Sequence, residues 1–220
     1  MASMGHHANK HLGSTLHDDG VDFMVWAPFA KAVDLLQSVE FEWQPSPMAT
    51  DGDGYWYINN VDAQAGQTYL YETTTESGEK LRRNDPYARQ LTDSDNGFSI
   101  IVDRSYDWEN ADEFVTTDHN KAIIYELHIG TFHRPDASTT GTFYTAIEKL
   151  DYLQSLGVNY IELMPVTSMA QSHGWGYAPN YIFSVENAYG GRRGLLDFVK
   201  ACHEKGIGVI LDVVYNHFHK

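Results

Sequence analysis

Asp212 interrupts a run of branched apolar residues, Gly206-Ile-Gly-Val-Ile-Leu-Asp-Val-Val-Tyr-Asn-His217. The run reads as a strand buried on both faces, entered through the glycine that stops a helix. A carboxylate in such a strand is costly unless it is paired. No Arg or Lys stands in strand position beside it, so a partner is expected further along the chain. Period-two alternation puts Ile210, Asp212 and Val214 on one face and Leu211, Val213 and Tyr215 on the other. Asn216 and His217 then fall at the C-terminal end of the strand, where parallel α/β sheets carry their chemistry. The apolar pairs flanking Asp212 argue for a functional carboxylate rather than a helix cap. His217 gains interest from sharing its strand. Asn216 could bind a metal, but loop support is the better reading. Nothing further supports a His217–His219 metal pair.

A second constellation is Gly174-Trp-Gly-Tyr-Ala-Pro-Asn-Tyr181. It follows a strand, so it too lies at the top of a sheet. Trp175 and Tyr177 stand between glycines that let the backbone turn tightly. Such a loop is either a platform for a sugar ring or a loop anchored by its own aromatics, and the pattern leaves both open. His128, near the end of an earlier strand, is a third candidate. Glu126 and Glu162 lie inside strands. Two carboxylates can serve glycoside hydrolysis, but the sequence does not give their separation, so neither receives a role.

These residues need elements to hold them. Alternating runs at 21–26, 32–36, 54–58 and 66–73 are separated by turn signals, with a short return strand after Gly78. They predict a small antiparallel β-sandwich over residues 12–104. Trp26, Trp43 and Trp56 are its candidate platform or core residues, with Trp26 placed in the core. Residues 105–118 read as a linker, with Trp108 pinning it to a neighbour. From Lys121 the pattern changes. A buried strand at 122–129 leads to a helix at 141–156 with Phe143, Ile147, Leu150 and Leu153 on one face. Gly157 closes that helix, and a strand at 158–164 stops at Pro165. A long loop runs to Gly191. A helix at 195–205 then presents Leu195, Leu196, Val199 and Cys202 before the strand of Asp212. This is βαβαβ, which predicts a parallel sheet with right-handed crossovers. Three strands with a bare edge make a poor complete domain, and a (β/α)8 TIM barrel takes about 250 residues. Residues 119–220 are therefore expected to be the first three β/α units of an incomplete barrel, and the chain the N-terminal part of a longer protein.

Composition bounds the partners. The 220 residues carry a formal net charge of -15. That argues against nucleic acid and anionic membranes, which require a basic surface. The 14 Tyr and 5 Trp suit sugar faces, although most should be core residues. One cysteine, Cys202, allows no intrachain disulfide and fits a reducing compartment, so the cytoplasm is expected. Cys202 is read as packing. Residues 1–11 show no secretory signal and are expected to form a flexible tail; His6, His7, His11 and His17 belong to this polar start. No cofactor and no metal are expected.

Taken together, these segments resemble the α-amylase superfamily, glycoside hydrolase family 13. Asp212-Val-Val-Tyr-Asn-His217 is similar to the signature that ends the third barrel strand. Tyr125-Glu-Leu-His-Ile-Gly-Thr-Phe132 resembles the first strand of its branching-enzyme and trehalohydrolase members. Gly174-Trp-Gly-Tyr177 and Tyr189-Gly190 resemble the loop before the third strand. Residues 21–26, Phe41-Glu-Trp43 and Gly54-Tyr-Trp56 resemble the glycogen-binding-type sandwich that precedes such barrels. The resemblance implies an α-glucan partner. Tyr177 would stack on the sugar at subsite −1, His217 would hydrogen-bond it, and Asp212 would help to hold the subsite, pairing with an Arg from the fourth strand. Trp175, Asn216 and His128 would contact substrate or support the site. Asn216 matches a calcium ligand of many amylases, a site that branching-type members commonly lack. The family's nucleophilic Asp, acid/base Glu and second Asp belong to the fourth, fifth and seventh strands, so none is expected here and the 220 residues are expected to be inactive alone. The implied parent activity is first a 1,4-α-glucan branching enzyme of glycogen metabolism. Maltooligosyltrehalose trehalohydrolase and α-amylase are the alternatives, and a non-catalytic glucan-binding module is the alternative of another class.

Overall fold

A computed structural model describes residues 11–93, 97–170 and 174–217. The expected tail, apart from His11, lies outside these residues, as does His219. Two compact units form. One takes the chain up to Thr92 with Gly97–Arg104, and the other takes the chain from Ser105 onward.

The first unit contains β1 (Gly13–His17), β2 (Gly20–Trp26), β3 (Ala32–Val39), β4 (Glu42–Pro47), β5 (Ala49–Thr50), β6 (Tyr55–Asn60), β7 (Thr68–Thr74), β8 (Lys80–Arg83) and β9 (Ser99–Ile100). One sheet runs β1-β2-β6-β5 and the other β4-β3-β7-β8, with β9 also on β7. Their pairings are antiparallel. Val21, Phe23 and Val25 of β2 meet Val33 and Leu35 of β3 and Tyr69 and Tyr71 of β7 in one core. This is the period-two alternation of a sheet with one buried face.

Three expectations need correction here. His17, grouped with the polar tail, sits in β1 opposite Gly20, with its Nε2 3.4 Å from Asp22 Oδ2. β1 is inconspicuous because Leu16 is its sole apolar side chain. β4 was hidden by Pro45 and Pro47, which a sheet tolerates at an edge, and β4 is an edge strand. Trp26 is not in the core: it is 56% exposed, because the buried face of β2 is 21/23/25. Trp56 is the buried indole, and its Nε1 donates to Ala27 O at 3.1 Å.

The second unit contains β10 (Ile124–Leu127), α1 (Ile129–Phe132), α2 (Phe143–Ile147), α3 (Leu150–Ser155), β11 (Tyr160–Leu163), β12 (Thr167–Met169), β13 (Pro179–Val185), α4 (Gly191–Glu204) and β14 (Gly208–Leu211). The sheet order β10-β11-β14 is parallel, with Glu126, Glu162 and Ile210 in register. Leu127, Ile161 and Leu163 pack with Phe143, Leu150, Leu153, Phe198 and Cys202 in one core. Burial pushes the Cys202 thiol well above its ordinary range, as suits a packing residue.

The single helix expected over 141–156 is two. Thr142 caps α2 through a reciprocal box with Thr145. Lys149 then leaves helical geometry at φ −105°, ψ 1°, and its amide bonds to Ala146 O instead of a carbonyl four residues back. Phe143, Ala146, Leu150 and Leu153 stay buried, so the packed face survives the break. α4 starts four residues before the expected helix. Its glycine-rich first turn reads as a loop, yet a Cβ at Gly194 would stand only 3.0 Å from Phe143 Cδ2, so glycine there lets α4 approach α2 closely. The buried side chains are Phe198 and Cys202, while Leu195 is partly buried. Within the expected long loop, β12 and β13 pair antiparallel. Residues 105–118, read as a linker, are packed on α4: Tyr106 donates to Asp197 at 2.7 Å, and Phe114 stacks on His203 at 4.3 Å.

β14 also departs from expectation. It ends at Leu211, and Leu211, Val213 and Tyr215 are exposed. β10 likewise exposes Ile124, Tyr125 and Glu126. Both are edge strands of a three-stranded sheet, which leaves these side chains uncovered in the 220 residues, as the bare edge expected of an incomplete barrel. Among the described residues no helix is long and apolar enough to cross a membrane.

Candidate functional site

Glu126 and Glu162 share their register row with Ile210, and Asp212 follows two residues after it. Leu127 and Leu163 of the neighbouring row pack into the helix-covered core. Alternation therefore places Glu126, Glu162 and Asp212 on the opposite, open face. The two glutamates stand on adjacent strands, roughly 4.8 Å apart along the hydrogen-bonding direction.

The loop after β12 lies over the C-terminal ends of all three strands. Gly176 adopts φ +86°, and a Cβ there would sit 2.5 Å from Pro165 O, just past β11. Only glycine fits that contact. His128, just past β10, brings its Nε2 to 3.0 Å from Gly174 O. Tyr177 donates its hydroxyl to Asp212 Oδ2 at 2.7 Å, just past β14. Each strand end thus holds one residue of the Gly174–Tyr177 turn.

Among the described residues the partner of Asp212 is this phenol, and Asp212 is half-buried; the Arg expected from a fourth strand is not tested by the three strands present. The Asp212 amide donates to Leu163 O at 3.0 Å, continuing the ladder one step beyond β14. The bond to Asp212, partial burial, and the charges of Asp212, Glu126 and Glu162 push the Tyr177 phenol up to about 12. It is a committed proton donor at neutral pH.

Glu126, His128, Thr131, Met164, Trp175 and Tyr177 line a cleft of about 470 Å³. A second of about 390 Å³ lies against Trp175, Tyr177 and Met169. Trp175, 72% exposed, belongs to both. The result is an aromatic wall beside carboxylate acceptors, suited to a neutral, hydroxyl-rich ring: flat faces stack and hydroxyls donate to the acids. Among the described residues no group of three His, Cys, Asp or Glu is placed to hold a metal.

The structure does not bring every candidate together. His217 is exposed, has φ +58° and makes no hydrogen bond among the described residues, and Asn216 is exposed beside it. Sequence reasoning missed Tyr189 as part of this site. It is fully buried, and its hydroxyl lies 3.0 Å from His128 Nε2. The signal was its place before Gly190, whose left-handed φ of +105° starts α4.

Comparison with known proteins accounts for both units. Residues 126–220 match the alpha amylase catalytic domain, and residues 5–88 match carbohydrate-binding module 48, the isoamylase N-terminal domain. A malto-oligosyltrehalose trehalohydrolase of Saccharolobus solfataricus is 37% identical over 94% of this chain and 34% of its own length. A 1,4-alpha-glucan branching enzyme GlgB of Nitrosomonas eutropha is 35% identical over 98% of this chain and 30% of its own. The structure of the GBS pullulanase SAP in complex with maltotetraose superposes with a TM-score of 0.77 at 28% identity, over 94% of this chain and 34% of that one. The chain thus spans about a third of the length of the relatives it matches. With its two matched segments in the order sandwich then parallel sheet, the chain belongs to the α-amylase family, glycoside hydrolase family 13.

Proposed function

We propose that this chain supplies one wall of an α-glucan subsite. The observation that carries the reading is the Tyr177–Asp212 bond of 2.7 Å, which fixes an aromatic ring at the strand ends within the field of Glu126 and Glu162. Tyr177 stacks on a glucose ring, Asp212 orients Tyr177 and accepts from sugar hydroxyls, Trp175 extends the stack, and His217 closes onto the ring from the segment after β14. Asn216 supports that segment. The maltotetraose held by the superposed pullulanase agrees with an α-glucan ligand.

The wall is a binding surface without bond-breaking groups. The family resemblance assigns the nucleophile and acid/base to later strands, and on that reading the 220 residues bind glucan without turning it over. Calorimetric titration with maltotetraose tests the binding, and chromatography of amylose incubated with the chain tests the turnover. Absence of saturable binding, or release of any sugar, defeats the respective half.

In a polypeptide that carries the remaining strands, the reaction is α-glucan cleavage or transfer. Trehalohydrolases at 36–38% identity and branching enzymes at 32–35% both match, which supports either reaction. Released trehalose decides for the first, new α-1,6 branches for the second.

A further inference from the structure

We propose that His128 is a positioning residue, which fixes the Gly174–Tyr177 turn before any sugar arrives and is not itself a sugar ligand. The proposal rests on the reading of Tyr177 as a glucan contact, but its structural half stands without it.

The argument starts from hydrogen-bond chemistry. Nε2 of His128 lies 3.0 Å from Gly174 O and 3.0 Å from the Tyr189 hydroxyl oxygen, and Nδ1 lies 3.1 Å from Thr131 Oγ1. A backbone carbonyl only accepts. A bare Nε2 would therefore point one lone pair at another, so Nε2 carries the proton and donates to Gly174 O. The Tyr189 oxygen is a second acceptor of the same proton. In the neutral ring Nδ1 then accepts from the Thr131 hydroxyl, which can serve either role.

Packing holds the ring in that pose. Tyr189 is fully buried and meets the imidazole edge-on, with centroids 5.7 Å apart and planes at 85°. A Cβ on Gly130 would stand 2.9 Å from Tyr189 Cε1 and 3.0 Å from His128 Cε1. Glycine at 130 is thus what allows the two rings to close on each other. With both nitrogens engaged, no nitrogen of His128 remains for a sugar hydroxyl. What the ring gives the cleft is a fixed Gly174 carbonyl, three residues before the phenol that meets Asp212.

The tests use the 220-residue chain with His128→Ala and His128→Gln. Glutamine places an amide N–H close to where Nε2–H was. Ring nitrogen NMR of the unsubstituted chain should show the Nε2–H tautomer. Hydrogen exchange in the 174–178 segment should rise about tenfold in His128→Ala, with β11 and β14 unchanged, and return toward the original in His128→Gln. Maltotetraose affinity should fall about tenfold and recover in the same order, as loss of one positioning bond of roughly 1.4 kcal/mol implies. An Nδ1–H tautomer, unchanged exchange in His128→Ala, or failure of His128→Gln to restore protection each overturns the proposal. If the unsubstituted chain binds no maltotetraose, the glucan reading fails while the exchange and tautomer results still decide the role of His128.

Discussion

Tyr177 and Asp85 show how one phenol–carboxylate contact serves two purposes. At the open strand ends, Tyr177 gives its proton to a half-buried Asp212. Removing only the hydroxyl, in Tyr177→Phe, keeps the stacking ring but frees it to swing. Affinity for maltotetraose should fall about tenfold, as loss of one positioning bond of roughly 1.4 kcal/mol implies. An unchanged affinity by titration calorimetry would separate Tyr177 from the ligand. In the sandwich core, Tyr69 donates to Asp85 Oδ2 at 2.6 Å, and Asp85 is fully buried. Burial raises the Asp85 carboxyl to about 6 from an ordinary 3.8, against the lowering effects of Tyr69, the Tyr87 amide and Arg89. A folded-state value above the unfolded one favours the protonated native form. Its stability contribution is complete below about pH 3.8 and is lost as pH rises through about 6. The difference is about 3 kcal/mol across that window. Asp85→Asn has no such titration. Denaturant unfolding of both proteins should give stability curves that separate between pH 4 and pH 6.5, and parallel curves would refute the assignment.

Turn chemistry and strand ends decide what this chain can hold, and they were unequally legible in the sequence. The parallel strands, their order and the Gly-Trp-Gly-Tyr segment could be read directly, because apolar runs and glycines announce themselves. What could not be read was pairing across distance. Neither residue of the Tyr177–Asp212 bond signals the other across 35 positions. β1, β4 and the β12–β13 pair were lost for a different reason. The apolar content of β1, β4 and β12 is thin or broken by proline, β13 opens on Pro179, and backbone pairing with a neighbour holds them all. Trp26 was misplaced because alternation needs a phase, and the phase is set by Val21, Phe23 and Val25. Gly176 carries the element-scale prediction. Its φ of +86° and its approach to Pro165 O leave no room for a methyl group. Gly176→Ala should cost about 1–3 kcal/mol of backbone strain and lift the turn from the strand ends. Thermal unfolding together with a raised exchange rate at 174–178 checks this. A variant with both properties unchanged would show that the turn is not pinned there.

Over the whole molecule, charge separates stability from recognition. The chain carries 30 acidic against 15 basic side chains. The carboxylates under the aromatic wall belong to that excess, and no lysine or arginine lines the described clefts of the second unit. Such a surface repels anionic ligands and leaves a neutral polyol as the natural guest. Raising salt from roughly 0.01 M to 1 M shortens the screening length from about 30 Å to about 3 Å. Self-repulsion among the excess carboxylates should then weaken, and the melting temperature should rise. A neutral glucan exchanges no net charge with the site, and its contacts are stacking and short hydrogen bonds that added ions do not screen. Its affinity should therefore change by no more than about twofold over the same range, since no counterions are released on binding. Parallel melting and maltotetraose titrations at several NaCl concentrations test both statements at once. A steep gain or loss of affinity with salt would mean that the wall recognises a charged ligand, and the glucan assignment of the Tyr177–Asp212 face would fall with it.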